Sequence, residues 1–242
     1  MAELNGKRLW TGIGATALVA LLPVPAAVLS GCQTIESMAP SQTLVRVIDA
    51  SYNAPAVDVK VGTTAIATNI GAASITNYAF LPPEETTAYV YPTWSATATA
   101  SAQGDFLVAQ QHSILITDSG ATYTATVLTD QAIIPPAGYF SIRFLQQAIH
   151  AGAVDIYLVP SSATLSGSKP LLTDVTPEAV EGYVNVMAGT YTVVVTPTGV
   201  ITTPYSSAQI AFVAGQARTA LIMDAQLTTN PPVTVVIGDD LN

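Results

Sequence analysis

The feature that most constrains this chain is an internal repeat of about 100 residues. Val45 to Val61 aligns with Ile142 to Leu158 at a constant offset of 97 residues, so that Arg46 falls on Arg143 and Ala56-Val57-Asp58 on Ala153-Val154-Asp155. Further on the offset becomes 105, placing Tyr78 on Tyr183, Val90 on Val195, Pro92-Thr93 on Pro197-Thr198 and Gln111 on Gln216. The eight extra residues of the second copy belong in the loop around Ser161 to Leu171, and each copy closes on a strand ending in acid, Val127 to Asp130 and Val236 to Asp239. A unit this long is a domain and not a solenoid repeat.

Within each copy helical periodicity is almost absent. Val, Ile, Thr and Tyr dominate short runs separated by Gly, Pro, Asn and Ser, which is the pattern of an all-β protein. Val57, Val59 and Val61 alternate with Asp58 and Lys60, and Tyr89-Val90-Tyr91, Ile114-Leu115-Ile116 and Thr192 to Val195 are similar segments. About seven strands per half predict two tandem immunoglobulin-like sandwiches, over residues 43–132 and 139–242. Residues 133–138 form the join, where Pro135-Pro136 is expected to limit reorientation.

The first 31 residues are set apart. Lys7 and Arg8 precede an apolar run that reaches Leu29, followed by Ser30, Gly31 and the only cysteine, Cys32. This three-part layout is that of an export signal. Leu29-Ser30-Gly31-Cys32 resembles the lipobox of bacterial lipoproteins, which implies cleavage before Cys32 and a thioether-linked diacylglycerol, with an N-acyl chain such as palmitate, on that residue. Several acyl chains at about 0.8 kcal/mol per buried CH₂ hold a protein firmly on a membrane. Gln33 in the position after the cysteine leans toward the outer membrane, and residues 32–42 read as a polar tether. Two alternatives stay open: an ordinary cleaved signal with a chance cysteine, and an uncleaved helix over Thr11 to Leu29, which Pro23 and Pro25 would interrupt.

From Cys32 onward five basic residues (Arg46, Lys60, Arg143, Lys169, Arg218) face fifteen acidic ones, a formal charge of −10. So sparse a basic complement argues against nucleic acid as a partner. With no second cysteine the sandwiches hold together by burial and not by disulfides.

The segment Val45-Arg46-Val47-Ile48-Asp49-Ala50-Ser51-Tyr52-Asn53-Ala54-Pro55-Ala56-Val57-Asp58-Val59 resembles the opening signature of the bacterial DUF4397 domain: an arginine strand, a His-Ala-Ser-Pro-Asp-Ala-Pro stretch, then Val-Asp-Val. Met187-Ala188-Gly189-Thr190-Tyr191-Thr192-Val193 is similar to that family's Leu-Pro-Ala-Gly-Thr-Tyr strand entry. The resemblance implies two DUF4397 domains in tandem and says little about activity. The family's histidine is replaced by Asp49 and Gln146, its proline by Tyr52 and Ile149, and Pro55 by Gly152. An activity that needs the histidine is lost in both copies.

Arg46 and Asp58, like Arg143 and Asp155, are twelve residues apart. In an antiparallel hairpin with Val47 facing Val57 they form cross-strand ion pairs, contributing about 1 kcal/mol at most if exposed. The two histidines, His112 and His150, sit at non-equivalent positions with no partner at metal-ligand spacing, so no metal is expected. Glu84-Glu85 and Asp239-Asp240 read as solvated turns, lacking the pattern of a calcium loop. Ser166-Gly167-Ser168-Lys169 contains Ser-x-x-Lys, but Pro170 follows and no partner motif exists. Tyr78, Tyr89, Tyr91, Trp94 and Tyr123 offer a stacking platform for sugars, with Tyr78 and Tyr183 better read as core or corner residues and Trp94 as exposed. The sequence therefore points to a lipid-anchored, non-enzymatic envelope protein with no cofactor, presenting binding or scaffolding surfaces to another envelope component, protein or glycan, or to an extracellular ligand. The second reading is a carbohydrate-binding module that uses Trp94.

Overall fold

The computed structural model describes residues 41–52, 55–119, 122–201, 205–225 and 233–241. Cys32, the apolar run before it and most of the tether lie outside them. Among the described residues no helix is long and apolar enough to cross a membrane.

The first half of the described chain runs through β1 (Thr43–Asp49), β2 (Val57–Val61), β3 (Thr64–Ile70), β4 (Ser74–Ile75), β5 (Ala79–Leu81), β6 (Glu84–Pro92), β7 (Ala100–Phe106), β8 (Gln111–Ser119) and β9 (Thr122–Thr129). The second runs through β10 (Tyr139–Gln147), β11 (Val154–Pro160), β12 (Leu172–Val175), β13 (Val184–Met187), β14 (Gly189–Pro197), β15 (Tyr205–Phe212), β16 (Ala217–Asp224) and β17 (Val233–Leu241), with one 3₁₀ turn over Leu165–Gly167. The fold is all-β. One sheet of the first half has the order β4-β1-β8-β9 with β5 also on β1, and the other β3-β2-β6-β7. The second half repeats this as β13-β10-β16-β17 and β12-β11-β14-β15. β1 runs parallel to β8, and β10 to β16, in otherwise antiparallel sheets.

Each half is an immunoglobulin-like sandwich, and the period-2 valine pattern explains why. Val45 and Val47 of β1 meet Val57, Val59 and Val61 of β2 in one core with Val90, Phe106, Ile114 and Ile116. In the second half Phe140, Ile142 and Phe144 face Val154, Ile156, Val193, Val195 and Phe212, with Phe140 and Phe212 stacked at 4.4 Å between ring centroids. Burying both valine sets against each other puts β1 and β2 in opposite sheets. The expected β1–β2 hairpin is therefore absent: Val47 and Val57 meet across the core, and Arg46 and Asp58 leave it in opposite directions. The same holds for Arg143 and Asp155.

The repeat register also sharpens. Arg46 pairs with Ser113 and Arg143 with Thr219, so these strands correspond at an offset of 106 and not 105. The extra residue enters at a β-bulge, where Thr192 pairs with Gln209 but Val194 with Ser206. Ser207 Oγ accepts from the Val193 amide at 3.0 Å there, satisfying a donor the bulge would orphan.

The outer faces of the β1 and β10 sheets bury a third apolar cluster. Ile48, Ala50 and Leu115 of the first half pack with Leu145, Leu221 and Met223 of the second. The described residues of the two halves accordingly form one compact unit. This shared core fixes the two sandwiches together, a role that sequence reasoning gave to the Pro135-Pro136 join.

Candidate functional site

Next to that apolar cluster lies a closed polar one. Arg46 Nε donates to Ser113 Oγ at 2.8 Å, Ser113 Oγ donates to Asp130 Oδ2 at 2.6 Å, and Tyr78 Oη donates to the same oxygen at 2.6 Å. The second half builds the same set. Arg143 Nε donates to Thr219 Oγ1 at 2.9 Å, Thr219 Oγ1 to Asp240 Oδ2 at 2.7 Å, and Tyr183 Oη to Asp240 Oδ2 at 2.6 Å. The two sets then exchange charges: Arg46 Nη2 pairs with Asp240 Oδ1, and Arg143 Nη2 with Asp130 Oδ1. Each guanidinium also covers its own half's tyrosine ring, at 4.7 Å for Tyr78 and 5.0 Å for Tyr183. Burial pushes both phenol pKa values up, so these tyrosines remain proton donors.

The contacts are reciprocal in the way of an isologous interface, residue i of one half meeting residue j of the other and the converse. Arg46 and Arg143 are 1% and 3% exposed, so two cations and two anions cancel in a dry environment where a lone charge would be costly. The expected partners of these arginines are thus replaced. Asp240, read from sequence as part of a solvated pair, is buried, whereas Glu84 and Glu85 open β6 on the surface. Gly238 is required beside it: a Cβ there would lie 2.7 Å from Ile75 Cγ2 and 3.3 Å from Arg46 Nη1.

Asp58 and Asp155 organise turns instead. Asp58 Oδ1 accepts from the Asn69 amide at 2.7 Å and from Thr93 Oγ1 at 3.2 Å. Asp155 accepts from the amides of Asp174 and Gly199, both at 2.9 Å. Asn69 and Asp174 are equivalent and share a left-handed backbone, φ +53° and +55°. The next equivalence is the more telling. Trp94 has φ +71° where the second half places Gly199 at φ +73°, and the indole is 94% exposed. A bulky residue in this region carries backbone strain that glycine would not.

Asp49 and Gln146 also correspond, and both cap the loop that carries the chain between sheets. Asp49 Oδ1 accepts from the Ser51 amide at 3.0 Å, and Gln146 Oε1 from the Ala148 amide at 2.6 Å. The amide of Gln146 additionally donates to the Gly152 carbonyl at 2.9 Å, while Asp49 Oδ2 has no hydrogen-bond partner among the described residues. Burial first, then the nearby Asp118, raises the Asp49 pKa above its ordinary 3.8. The folded state therefore holds this proton more tightly than the unfolded one, and stability is lost as pH rises from the ordinary value through the raised one. Asp49→Asn, which copies the protonated form, should add about 1 kcal/mol near neutral pH. That gain should shrink toward pH 3 in a series of thermal melts, and a gain independent of pH would contradict the assignment.

His112 is buried edge-on to Phe106, ring centroids 5.3 Å apart, and burial lowers its pKa. The His150 side chain is exposed, with Nδ1 2.9 Å from Asp224 Oδ2. Among the described residues no group of three or more His, Cys, Asp or Glu side chains is arranged to hold a metal ion. Ser168 Oγ donates to the Thr164 carbonyl at 2.8 Å in an exposed loop. Of the aromatic set, Tyr78 is consumed by the polar cluster, whereas Tyr89 and Tyr91 stay half-exposed with their rings 6.4 Å apart.

Residues 43–157 match the family described as "Domain of unknown function (DUF4397)", a span that covers the first sandwich, β10 and part of β11. No curated protein matches the chain. Among solved structures it is similar to the Bacillus anthracis TIE protein, at 8% identity and TM-score 0.26 over 82% of this chain and 44% of that one. It thus spans less than half the length of that protein. A candidate cell adhesion protein from Bacteroides uniformis is 10% identical at TM-score 0.22, over 83% of this chain and 98% of that one. Another, from Bacteroides eggerthii, is 9% identical at TM-score 0.21, over 84% and 97%.

Proposed function

We propose that this chain is a non-enzymatic binding or scaffolding protein of the cell envelope, moored to the membrane through lipid on Cys32 and presenting its two sandwiches as one body. The observation that carries this reading is the closed polar cluster. Arg46, Arg143, Asp130 and Asp240 are buried between the halves and spent on one another and on the half-buried Tyr78 and Tyr183. Their chemistry builds a rigid support and leaves the exposed sheet faces and turns to meet a partner.

The lipobox resemblance of Leu29-Ser30-Gly31-Cys32 supports the anchor, and Gln33 supports an outer-membrane address. Cys32→Ala should leave the fold intact by circular dichroism and move the protein from the membrane fraction to the soluble one. Retention of this variant in the membrane fraction would favour an uncleaved helix over Thr11 to Leu29. Cross-linking with mass spectrometry on intact cells identifies the envelope component that is held. A reproducible hydrolase activity of the purified protein would overturn the non-enzymatic reading.

A further inference from the structure

The outer face of the β3-β2-β6-β7 sheet differs from its counterpart in the second half. In the second half Tyr157, Val159 and Val194 are buried on that face beneath Leu165, which the 3₁₀ turn of the long Ser161 to Leu171 loop lays over them. In the first half the corresponding connection from β2 to β3 is only Gly62 and Thr63, too short to form a cover. Lys60 pairs with Tyr89 where Tyr157 pairs with Val194. The apolar, lidded face has become an open one of aromatic rings and hydrogen-bonding groups.

Alternation along β6 puts Thr87, Tyr89 and Tyr91 on this face, opposite Gln103 and Ser101 of β7 and beside Asp58 of β2. The Lys60 ammonium lies 5.2 Å from the centre of the Tyr91 ring. Two residues after Pro92 ends β6, Trp94 stands fully exposed in the following turn in its glycine-like conformation. The first half thus keeps a fully exposed indole at a backbone cost that its own counterpart avoids.

Resting on the envelope-binding reading above, we propose that Tyr89, Tyr91 and Trp94 form a docking strip for a neutral polysaccharide chain. Pyranose rings lay their C–H faces on the aromatic rings, and Lys60, Ser101 and Gln103 hydrogen-bond the hydroxyls. Glu85 and Asp105, cross-strand partners at the end of the same face, repel an acidic polymer. This charge pattern selects neutral sugars over uronates.

The test is affinity electrophoresis of the detergent-solubilised full chain in gels containing glucomannan, xyloglucan or mixed-linkage β-glucan, with alginate as the acidic comparison. At least one neutral polymer should retard the protein, and alginate should not. Trp94→Gly and the double change Tyr89→Ala, Tyr91→Ala should each weaken retardation about ten-fold or more, while Tyr91→Phe retains it. Trp94→Gly should also raise the melting temperature by about 2 °C as the strain is released, which separates lost contact from lost fold. The proposal is overturned if no neutral polymer binds, if these variants bind like the wild type, or if alginate binds equally well. In those cases Cys32-dependent membrane retention would still stand, and the strip alone would be withdrawn.

Discussion

Asp130→Ala is expected to destabilise the protein by about 3–5 kcal/mol, since removing one partner of a buried ion pair strands the other. The carboxylate accepts from Ser113, Tyr78 and Arg143, and Arg46 Nε lies 3.7 Å away. Three buried groups and the half-buried Tyr78 therefore lose their acceptor or countercharge together. Asp240→Ala should behave alike, because Asp240 does the same for Thr219, Tyr183 and Arg46. Urea unfolding measures both. Replacing a whole pair, Arg46→Met with Asp240→Leu, should recover most of the loss, because the desolvation of both charges disappears with the interaction. A loss equal to the sum of the single changes would mean the exchange is not a coupled pair.

Leu221→Ala should cost about 2–5 kcal/mol, the range for truncating a fully buried leucine whose surroundings relax only in part. Leu221 belongs to neither sandwich core but to the cluster between them, with Ile48, Leu115 and Leu145. The change should therefore weaken the union of the halves while the packing around Val47 and around Phe144 persists. Thermal melts followed separately by near- and far-ultraviolet circular dichroism would reveal this. An effect below about 1 kcal/mol would show that the interface contributes little.

Much of this architecture is written in local pattern. Alternation at Val57, Val59 and Val61 and the repeated Arg46 and Arg143 identify strands, faces and copies without reference to coordinates. What alternation cannot say is which sheet a strand joins. The Arg46–Asp58 spacing suits a hairpin as well as a sandwich crossing, and only the need to bury both valine sets decides between them. Arg46 finds its partners 84 and 194 residues away, in Asp130 and Asp240, beyond the reach of any spacing rule, while Arg143 meets Asp130 only 13 residues back, across the join between the copies. A signal was present nonetheless: each copy closes on acid. The β15 bulge displaced the alignment by one residue and drew attention to Asp239 in place of Asp240.

The Trp94 site was half legible. Exposure follows from Pro92-Thr93 and the turn after it. The strain does not, because it emerges only when Trp94 and Gly199 are seen to share one backbone conformation. Comparison of the two halves, more than either half alone, separates support from surface: the polar cluster is the same in both, while the outer sheet face is lidded in one and open in the other.

Scanning calorimetry of the intact protein tests most directly whether the two sandwiches are one body. If the shared cluster and the Arg–Asp exchange join them as described, unfolding is a single transition with equal calorimetric and van't Hoff enthalpies. Two resolved transitions, each with about half the total enthalpy, would contradict the account.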